Sequence, residues 1–500
     1  MQPTQNIYDT LRQGLPKTPL QGKNILPLPE ILTAIEFFDK TDQKALAYDL
    51  AAHIIKHNNN PLVLDWYADL CFDNHKYEEC YAIREKNLSK LSSVQHYQKT
   101  AQAAFYAWKF EESEQLVRTG LQHTTSNEPN LQALLKIDLA LAISYQGRYD
   151  EAFAILQSID LQPLDDRVKQ SVQFAKGWYL VRLGQFSTGL KLLNLNRPWG
   201  AYTYQYTKPK WDGSPIPDKT LLIVGEGGIG DEIISARFVK ILRERNINCS
   251  MSTSHKDPSL LKALQRIKGI DDVFQLTHSE HMVRCPHYDY WVSCIELPSL
   301  LDITEGDIPS SAYLKVLPSS VKKWKLLTHT NKKFKVGVKW AASKNGRMNH
   351  MRDIPFRYFE DLARSFPDIE FYSLQRDEGI QEMIPRSKII PFHDKLETLD
   401  DTLGCIENLD MVITCCSSMY TLSGGLGKKT FVVVPIVPYY IWANPNKQSV
   451  WYDSISIYRQ SDHCNWDTPF NHIKKDLKVV LHTYLQSHRH KKSTPESSAS

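Results

Sequence analysis

Apolar residues recur between about Leu32 and Leu193 with the spacing of amphipathic helices. Four segments of this region align with one another. They are WYADLCFDNHKYEECYAI from Trp66, AQAAFYAWKFEESEQLV from Ala101, ALAISYQGRYDEAFAIL from Ala140 and AKGWYLVRLGQFSTGLKLL from Ala175. Each segment has small or aromatic residues on one helix, then a short polar turn, then an aromatic residue that opens a second helix. The pattern predicts a helical hairpin that recurs along the chain.

The opening aromatic residues are Tyr77, Phe110, Tyr149 and Phe186, spaced by 33, 39 and 37 residues. Small residues such as Ala103, Ala142 and Gly177 allow paired helices to approach, and the aromatic rings fill the space between neighbouring hairpins. This period and code resemble tetratricopeptide repeats. An irregular helical bundle would share the helical periodicity, but Gly147 and Gly184 occupy the same turn position and favour true repeats.

Beyond Asn194 the pattern changes to short apolar runs that alternate with amphipathic helices. The predicted strands include Leu221 to Val224, Lys335 to Ser343, Ile369 to Gln375, Met411 to Ser418 and Thr430 to Pro435. Strands that alternate with helices predict parallel sheets, so the fold class is α plus α/β.

The chain is therefore divided into segments as follows: an N-terminal extension (1–30), helical repeats (31–195), a connector rich in proline, glycine and aromatic residues (196–218), a first Rossmann-like domain (219–325), a second (326–485) and a polar, disordered tail (486–500). A length of 500 residues is too great for one ordinary core. Several domains are expected on this ground as well.

Charge and cysteine content narrow the partners and the compartment. The net charge of +4, from 60 basic and 56 acidic residues, gives little support to nucleic-acid binding by bulk electrostatics. The nine cysteines form no repeated C-x-x-C, so neither a zinc ribbon nor a disulfide framework is indicated, and a reducing cytoplasmic setting is expected. The N-terminus lacks the layout of a secretory signal, and no apolar run is long enough to span a membrane.

The glycine-rich turn Gly225 to Asp231, GEGGIGD, lies where a strand is predicted to turn into a helix. Free backbone N–H groups near Gly228 and Gly230, at the positive end of the helix, suit an anionic or polar ligand. An acidic pair, Asp231 and Glu232, follows at once and would repel a pyrophosphate. Asp231 can instead be the general base that takes a proton from an acceptor hydroxyl. Alternatively, both acids only stabilise the first helical turn.

Several motifs resemble those of one family. WDGSPIPDKTLLIVGEGGIGDEI is similar to the start of the glycosyltransferase half of bacterial tetratricopeptide-repeat proteins related to the heptosyltransferases and, more distantly, to the O-linked N-acetylglucosamine transferases. VGVKWAAS, MRDIPFRYFEDL, SSMYTLSGGLGKKTFVVVP and VPYYIW follow in the family's order, so the resemblance covers about residues 196–475. It implies a GT-B architecture, in which two Rossmann-like halves face a cleft. It also implies a nucleotide-sugar co-substrate, no obligatory metal, no other cofactor, and a protein or glycan acceptor chosen by the repeats.

The resemblance implies that the second half holds the nucleotide sugar. Lys339 and Arg352 can neutralise the diphosphate leaving group, although both can also be ordinary surface charges. Hydroxyls and free N–H groups between a strand and a small-residue helix can bind phosphate or ribose, unless these small residues serve packing. The candidates there are Ser417, Ser418, Thr421, Gly424 and Gly425. Gln375 lies at a strand end, where open α/β sheets bind ligands. Trp340 and Trp442 can stack on a base or sugar, or can pack between elements.

Two positions depart from the family pattern. The loop after the fourth strand of the second half has Cys416 where relatives have an acid, and Thr421 where they have a histidine. This leaves open a second hypothesis, an inactive transferase-like scaffold that acts through its repeats. A nucleophilic role for Cys415 or Cys416 is another possibility, but the sequence identifies no His or Asp partner that would activate the thiol. A third hypothesis, a dinucleotide-dependent oxidoreductase, is supported only by the glycine turn. Such an enzyme is expected to have an acidic residue that binds the ribose in the segment NCSMSTS, but no acid occurs there before Asp257.

Overall fold

The computed structural model describes residues 28–41, 43–55, 60–197, 206–253, 255, 257–276, 287–328, 333–343, 349–376, 379–463 and 465–493. Most of the predicted N-terminal extension, much of the connector, Cys285, Cys464 and residues 494–500 therefore lie outside the described residues. The chain divides into two compact units, Met1–Val168 and Lys169–Ser500.

In its described residues, the first unit consists of α-helices joined by short connections. Its helices are α1 (Leu28–Lys40), α2 (Lys44–Ile55), α3 (Pro61–Asp73), α4 (Tyr77–Asn87), α5 (Val94–Tyr106), α6 (Phe110–Gln122), α7 (Pro129–Ser144) and α8 (Tyr149–Gln157). Next along the chain come α9 (Asp166–Arg182), which begins at the end of this unit, and α10 (Phe186–Leu195). Each aromatic residue predicted to open a second helix is the first residue of that helix.

The turn between paired helices has one geometry in all four predicted hairpins. The residue two places before the aromatic ring has a left-handed backbone: His75 (φ 60°), Trp108 (φ 64°), Gly147 (φ 78°) and Gly184 (φ 80°). This conformation ends the first helix, and the next N–H closes the turn onto it, as when Lys109 donates to the carbonyl of Ala104 at 2.9 Å. In the sequence, only Gly147 and Gly184 indicated this turn position. His75 and Trp108 adopt the same left-handed conformation, although it is unfavourable for a residue with a Cβ atom.

Aromatic residues fill the space between neighbouring hairpins, as predicted. The rings of Tyr77 and Tyr106 stack with centroids 5.0 Å apart, and those of Phe110 and Tyr145 do the same at 5.0 Å. Each pair joins the second helix of one hairpin to the first helix of the next. Within the second unit, a methyl group built on Gly177 would lie 2.8 Å from the carbonyl oxygen of Gly189, so these helices pack backbone to backbone.

The second unit contains two α/β halves. The first consists of β1 (Thr220–Val224), α11 (Ile229–Ala236), α12 (Val239–Glu244), β2 (Asn248–Thr253), α13 (Pro258–Gln265), β3 (Asp272–Gln275), β4 (Tyr290–Ser293) and α14 (Leu297–Leu300). Its four strands are parallel and follow the order β3-β2-β1-β4. The order reverses between β1 and β4, which is where open parallel sheets bind ligands.

The second half consists of α15 (Pro318–Thr328), β5 (Phe334–Lys339), α16 (Arg357–Ser365), β6 (Ile369–Ser373), β7 (Ile389–Pro391), α17 (Leu399–Glu407), β8 (Met411–Cys415), α18 (Ser418–Gly425), β9 (Thr430–Val434), β10 (Ile455–Arg459) and α19 (Asp467–Ser493). Short 3₁₀ turns lie at Glu305–Asp307, Asn349–Arg352, Ile380–Glu382 and Tyr440–Trp442. All six strands are parallel, in the order β10-β9-β8-β5-β6-β7, with a reversal between β5 and β8. The predicted α plus α/β class with two parallel sheets is confirmed.

The last helix continues past residue 486, where a disordered tail is predicted to begin. It runs to Ser493, so residues 486–493 are helical and that part of the prediction is wrong. Buried Phe470, Ile473 and Leu477 anchor the helix to the second half, and the polar residues that follow contain no proline or glycine before Pro495. Within the described ranges, no helix combines the length and apolar character needed to cross a membrane.

A buried arginine joins the two halves. Arg237, directly after α11, donates to the carbonyls of Ile234 (3.1 Å) and Pro309 (3.3 Å) and also to that of Trp451. Its guanidinium carbon lies 4.0 Å from the ring centroid of Tyr452. The residue thus replaces its hydration with carbonyl oxygens and aromatic faces from both halves.

We expect Arg237→Met to lower the free energy of unfolding of the second unit by about 2–4 kcal/mol, because three carbonyl oxygens lose a donor and a buried cation–π contact disappears. Urea unfolding followed by tryptophan fluorescence measures the change. Arg245→Met is the control, since Arg245 is exposed and donates to one carbonyl, that of Leu301 at 3.0 Å. Equal destabilisation by the two variants would contradict the role of Arg237 in joining the two halves.

Candidate functional site

The reversal points of the two sheets meet through the first turns of two helices. Helix α11 packs against α18, and a methyl group built on Gly230 would lie 3.5 Å from Cγ2 of Thr421 and 3.6 Å from Cα of Ser418. Gly228 and Ser418 are exposed beside this contact. Two helix N-termini, each with a partial positive charge and free N–H groups, therefore converge at one place.

Asp231 occupies the first turn of α11 at this convergence. Its Oδ2 accepts the backbone N–H of Gly228 at 2.8 Å, and its Oδ1 accepts the hydroxyl of Tyr439 at 2.8 Å. Burial raises the pKa of Asp231, while these two bonds and the charge of Arg352 oppose the rise. A carboxylate with a raised pKa is a stronger base than an ordinary aspartate.

The helix-capping alternative considered from the sequence is visible in this geometry, because Asp231 caps its own helix through Gly228. Capping uses one lone pair of Oδ2 and leaves other lone pairs of the carboxylate available. The capping bond and the predicted role as a base are therefore compatible. The role as a base stays a prediction.

Arg352 lies at the end of a 3₁₀ turn, close to Asp231 and Cys416. Its charge acts to lower the pKa of both groups, against the larger effect of burial, which raises them. Among the residues that the structure describes, the buried Nε of Arg352 has no hydrogen-bond partner. Lys339 ends β5 on the same sheet edge and is almost fully buried. Both predicted phosphate-binding cations thus lie at the carboxyl edge of the second sheet.

The small residues of α18 divide into two groups. Ser417 is the N-cap residue, with its Oγ 3.3 Å from Oγ1 of Thr414, and Ser418 begins the helix. The hydroxyl of Thr421 donates to the carbonyl of Ser418 at 2.7 Å. Gly424 and Gly425 lie at the opposite end of the helix, away from its N-terminus. The first group faces the convergence and the second does not.

The two glycines permit close packing where they lie. A methyl group on Gly424 would be 2.5 Å from the ring of Tyr452, and one on Gly425 would be 2.7 Å from the side chain of Leu314. These distances show that both glycines serve helix packing, which is the alternative to ligand binding at this helix. Phosphate or ribose binding at these two glycines stays a prediction.

Gln375, Trp340 and Trp442 are fully buried. The amide of Gln375 accepts the N–H of Ala341 at 3.0 Å and donates to its carbonyl at 3.2 Å, so it fixes the loop after β5. The indole of Trp340 donates to the carbonyl of Gly379 at 3.0 Å, and Trp442 meets Tyr420 edge to face at 4.9 Å. Ligand contacts by these three side chains stay predictions.

The paired cysteines after β8 are buried. Burial raises the pKa of Cys415 to about 12 and also raises the pKa of Cys416. Because the thiolate is the nucleophile, neither thiol is activated at neutral pH. The structure therefore gives no support to a nucleophilic cysteine at this position.

Three residues at the site escaped the sequence reasoning. Tyr439, in a loop after β9, belongs to the VPYYIW motif, which was recognised without a role for its tyrosines. His255 follows β2 with its Nε2 3.8 Å from Oε1 of the fully buried Glu232, and burial lowers the pKa of His255. Glu226 lies inside the glycine turn, where it pairs with Arg197. Each of the three residues follows a predicted or observed parallel strand, and this position could have identified them as candidates from the sequence.

The fold and site define a class: two parallel-sheet halves that meet at their carboxyl edges, preceded by helical hairpins, which is the tetratricopeptide-repeat-like plus GT-B-like architecture predicted from the sequence. No protein-family model matches the chain. Among the described residues, no cluster of three or more His, Cys, Asp or Glu side chains is arranged to hold a metal ion.

The chain is similar to several known proteins and solved structures. Protein FlbA of Caulobacter vibrioides is 21% identical over 367 residues, which are 66% of this chain and 59% of that protein. The chain thus spans less than two thirds of the length of this relative. Among solved structures, E. coli ADP-heptose lipopolysaccharide heptosyltransferase II is 11% identical, with a TM-score of 0.41, over 53% of this chain and 99% of that one. A mutant Thermobaculum terrenum O-GlcNAc transferase is 9% identical, with a TM-score of 0.35, over 92% of both chains.

Proposed function

We propose that the chain is a glycosyltransferase that moves a sugar from a nucleoside-diphosphate sugar to a protein or glycan acceptor, without a metal ion and in the cytoplasm. One observation carries the proposal: two helix N-termini, the cation Arg352 and the carboxylate Asp231 converge at the facing edges of two parallel sheets. The first unit, with its helical hairpins, is proposed to select the acceptor.

The positively charged groups of the site suit a diphosphate leaving group. A nucleoside diphosphate gains charge as the sugar departs, and donors fixed in place stabilise that charge without reorganisation. Arg352 offers a buried Nε that has no partner among the described residues, and the first turn of α18 offers backbone N–H groups. Lys339 adds a second positive charge on the same sheet edge. These groups supply by themselves the charge compensation that a metal ion provides elsewhere.

The carboxylate of Asp231 is proposed to be the general base. In the proposed reaction, Asp231 accepts the proton of an acceptor hydroxyl as the oxygen forms a bond to the anomeric carbon. The bond between that carbon and the phosphate oxygen breaks, and the nucleoside diphosphate leaves with the electron pair. Asp231 suits this role because burial raises its pKa and because Tyr439 fixes one of its oxygens.

A thermal-shift panel with UDP-, GDP-, ADP- and CMP-sugars tests the proposal. A ligand at about 100 times its dissociation constant adds about 2.7 kcal/mol to stability, which is readily visible as a higher melting temperature. We expect UDP-, GDP- or ADP-sugar to raise the melting temperature without added metal and in the presence of EDTA. A shift with the CMP-sugar alone would contradict a diphosphate donor. Absence of a shift with every donor, in a folded sample, would refute the donor site.

Two buried side chains favour a second candidate function, that of a non-catalytic scaffold. Cys416 and Thr421 stand where the resembling family has polar donor-site groups, and here the thiol is buried and the hydroxyl is engaged with Ser418. A protein that kept the fold and lost donor binding would act as a scaffold through its helical hairpins. Such a protein would bind no nucleotide sugar in the panel.

A further inference from the structure

The last helical hairpin touches a loop of the second half. This hairpin comprises α10 and the part of α9 within the second unit. The indole Nε1 of Trp178 donates to the carbonyl of Pro438 at 2.9 Å, and Nη1 of Arg182 donates to the carbonyl of Ala443 at 3.3 Å. The two bonds hold both ends of the segment 438–443, here called the tyrosine loop.

The tyrosine loop carries the hydroxyl that contacts the proposed base. Tyr439 follows Pro438 directly and donates to Oδ1 of Asp231 at 2.8 Å. Tyr439 is 37% exposed, so core packing alone does not fix its ring. The bond from Trp178 to the adjacent carbonyl therefore restrains the backbone from which Tyr439 reaches Asp231.

The same hairpin reaches the glycine turn on the other side of Asp231. Arg197, just after α10, forms a two-pronged ion pair with Glu226, which lies between Gly225 and Gly227. The hydroxyl of Ser293, at the end of β4, also donates to Glu226. This ion pair is buried, so breaking it leaves an uncompensated charge. The hairpin thus contacts one loop from each half, and both loops flank the base.

Apolar packing makes the hairpin continuous with the α/β core. Four of its buried side chains belong to the same hydrophobic cluster as the sheet residues of both halves: Val181, Phe186, Leu190 and Leu193. Asn194 adds a buried hydrogen bond of 2.9 Å to the hydroxyl of Ser299. The hairpin therefore forms part of the second unit's core, in agreement with the compact unit that starts at Lys169.

We infer that this last hairpin contributes to the transferase site. In this inference Trp178 is a positioning residue that keeps the hydroxyl of Tyr439 hydrogen-bonded to Asp231. The inference rests on the proposed function for the role of Asp231, but the contact itself can be tested without activity. It predicts that a change in α9, outside both sheets, alters the chemistry of the base.

Trp178→Phe tests the contact in the full chain, because phenylalanine keeps an apolar aromatic ring and lacks the indole N–H donor. Trp211→Phe is the matched control, since Trp211 donates its indole N–H to the carbonyl of Ser214 at 2.8 Å, away from the tyrosine loop. Hydrogen–deuterium exchange of peptides covering residues 436–443 is the readout. We expect exchange about 2- to 10-fold faster in Trp178→Phe than in the parent, and unchanged in Trp211→Phe.

Unchanged exchange in Trp178→Phe, or the same increase in Trp211→Phe, overturns the inference whatever the protein catalyses. If Trp178→Phe loosens the loop but no nucleotide sugar binds the parent chain, the proposed function fails and the contact stands. The two failures are therefore separate.

The pH profile of sugar transfer tests the link to the base. The titratable and charged groups that face Asp231 are Glu226, His255, Cys294, Arg352, Tyr420, Tyr439 and Tyr440. The hydrogen bond from Tyr439 favours the charged carboxylate, so its loss raises the pKa of Asp231. We expect Tyr439→Phe to move the acidic limb of the profile upward by about 0.5–1 pH unit. Trp178→Phe should move it in the same direction.

The double variant decides whether Trp178 acts through Tyr439. If it does, Trp178→Phe has no further effect on the acidic limb once Tyr439 has been replaced by phenylalanine. Additive shifts, or an unmoved limb with Trp178→Phe, overturn the positioning role.

Discussion

We expect Asp231→Asn to lower kcat for sugar transfer by about 10²–10⁴-fold, the typical contribution of a general base, with little change in nucleotide affinity. Asparagine keeps an oxygen that can accept the N–H of Gly228, so the cap on α11 is retained. What is lost is the negative charge and the ability to take a proton. Steady-state kinetics and isothermal titration with the nucleotide identified by the donor panel measure the two quantities.

Asp307→Asn is a matched control for helix capping. Asp307 accepts the N–H of Thr304 at 2.8 Å, in the same capping arrangement that Asp231 forms with Gly228. The two acids differ in their surroundings. Hydrogen bonds from Thr304 lower the pKa of the exposed Asp307, whereas burial raises the pKa of Asp231. Full activity in Asp231→Asn, or an equal loss in Asp307→Asn, would rule out the proposed base.

The direction of the pH dependence follows from the raised pKa of Asp231. The base works only when deprotonated, so the rate should fall as the pH decreases through a pKa above the ordinary range of aspartate. Asp231→Asn should leave a low rate without this acidic limb. A limb that persists in the variant would assign the titration to another group.

Arg352→Gln is expected to lower the affinity for the nucleoside diphosphate by about 10- to 100-fold, because a charge-assisted bond to phosphate is worth about 1.5–3 kcal/mol. Glutamine retains a polar side chain of similar length but loses the positive charge. Isothermal titration with the free nucleoside diphosphate measures the loss. The affinity for the corresponding nucleoside, which lacks phosphate, should stay close to that of the parent chain.

Arg357→Gln controls for the removal of one positive charge from the second half. Arg357 begins α16, is exposed, and lies over the ring of Tyr358 with its guanidinium carbon 5.2 Å from the ring centroid. Its loss should leave nucleotide affinity unchanged. If Arg352→Gln binds the diphosphate as tightly as Arg357→Gln does, the cation at the sheet edge does not serve the leaving group.

Local patterns predicted the elements because each signal lies within a short stretch of chain. The aromatic residues at positions 77, 110, 149 and 186 begin helices, and the five predicted apolar runs overlap β1, β5, β6, β8 and β9. Strands β1 and β5 each begin one residue before the predicted run, at Thr220 and Phe334. Helical and strand periodicity depend on neighbours within a few residues. The helix over residues 486–493 was missed because its polar composition gave no such signal, whereas packing upstream sustains it.

The candidate site was only partly predictable. Reasoning from strand ends located Asp231, Lys339 and the start of α18 at a sheet edge, as the parallel topology requires. It could not decide which side chains at that edge face inward. Gln375 satisfies the backbone of the loop after β5, and Trp340 donates to Gly379, in both cases because the tertiary fold brings a second segment to them.

By itself the sequence determined the helical hairpins, the two parallel sheets and the acid at the first turn of α11, since each depends on residues close in the chain. Only the tertiary structure decided what surrounds that acid. Tyr439 lies 208 positions from Asp231, and Pro438 lies 260 positions from Trp178. No periodicity or motif links residues so far apart, because their contact depends on how the two halves and the last hairpin pack together.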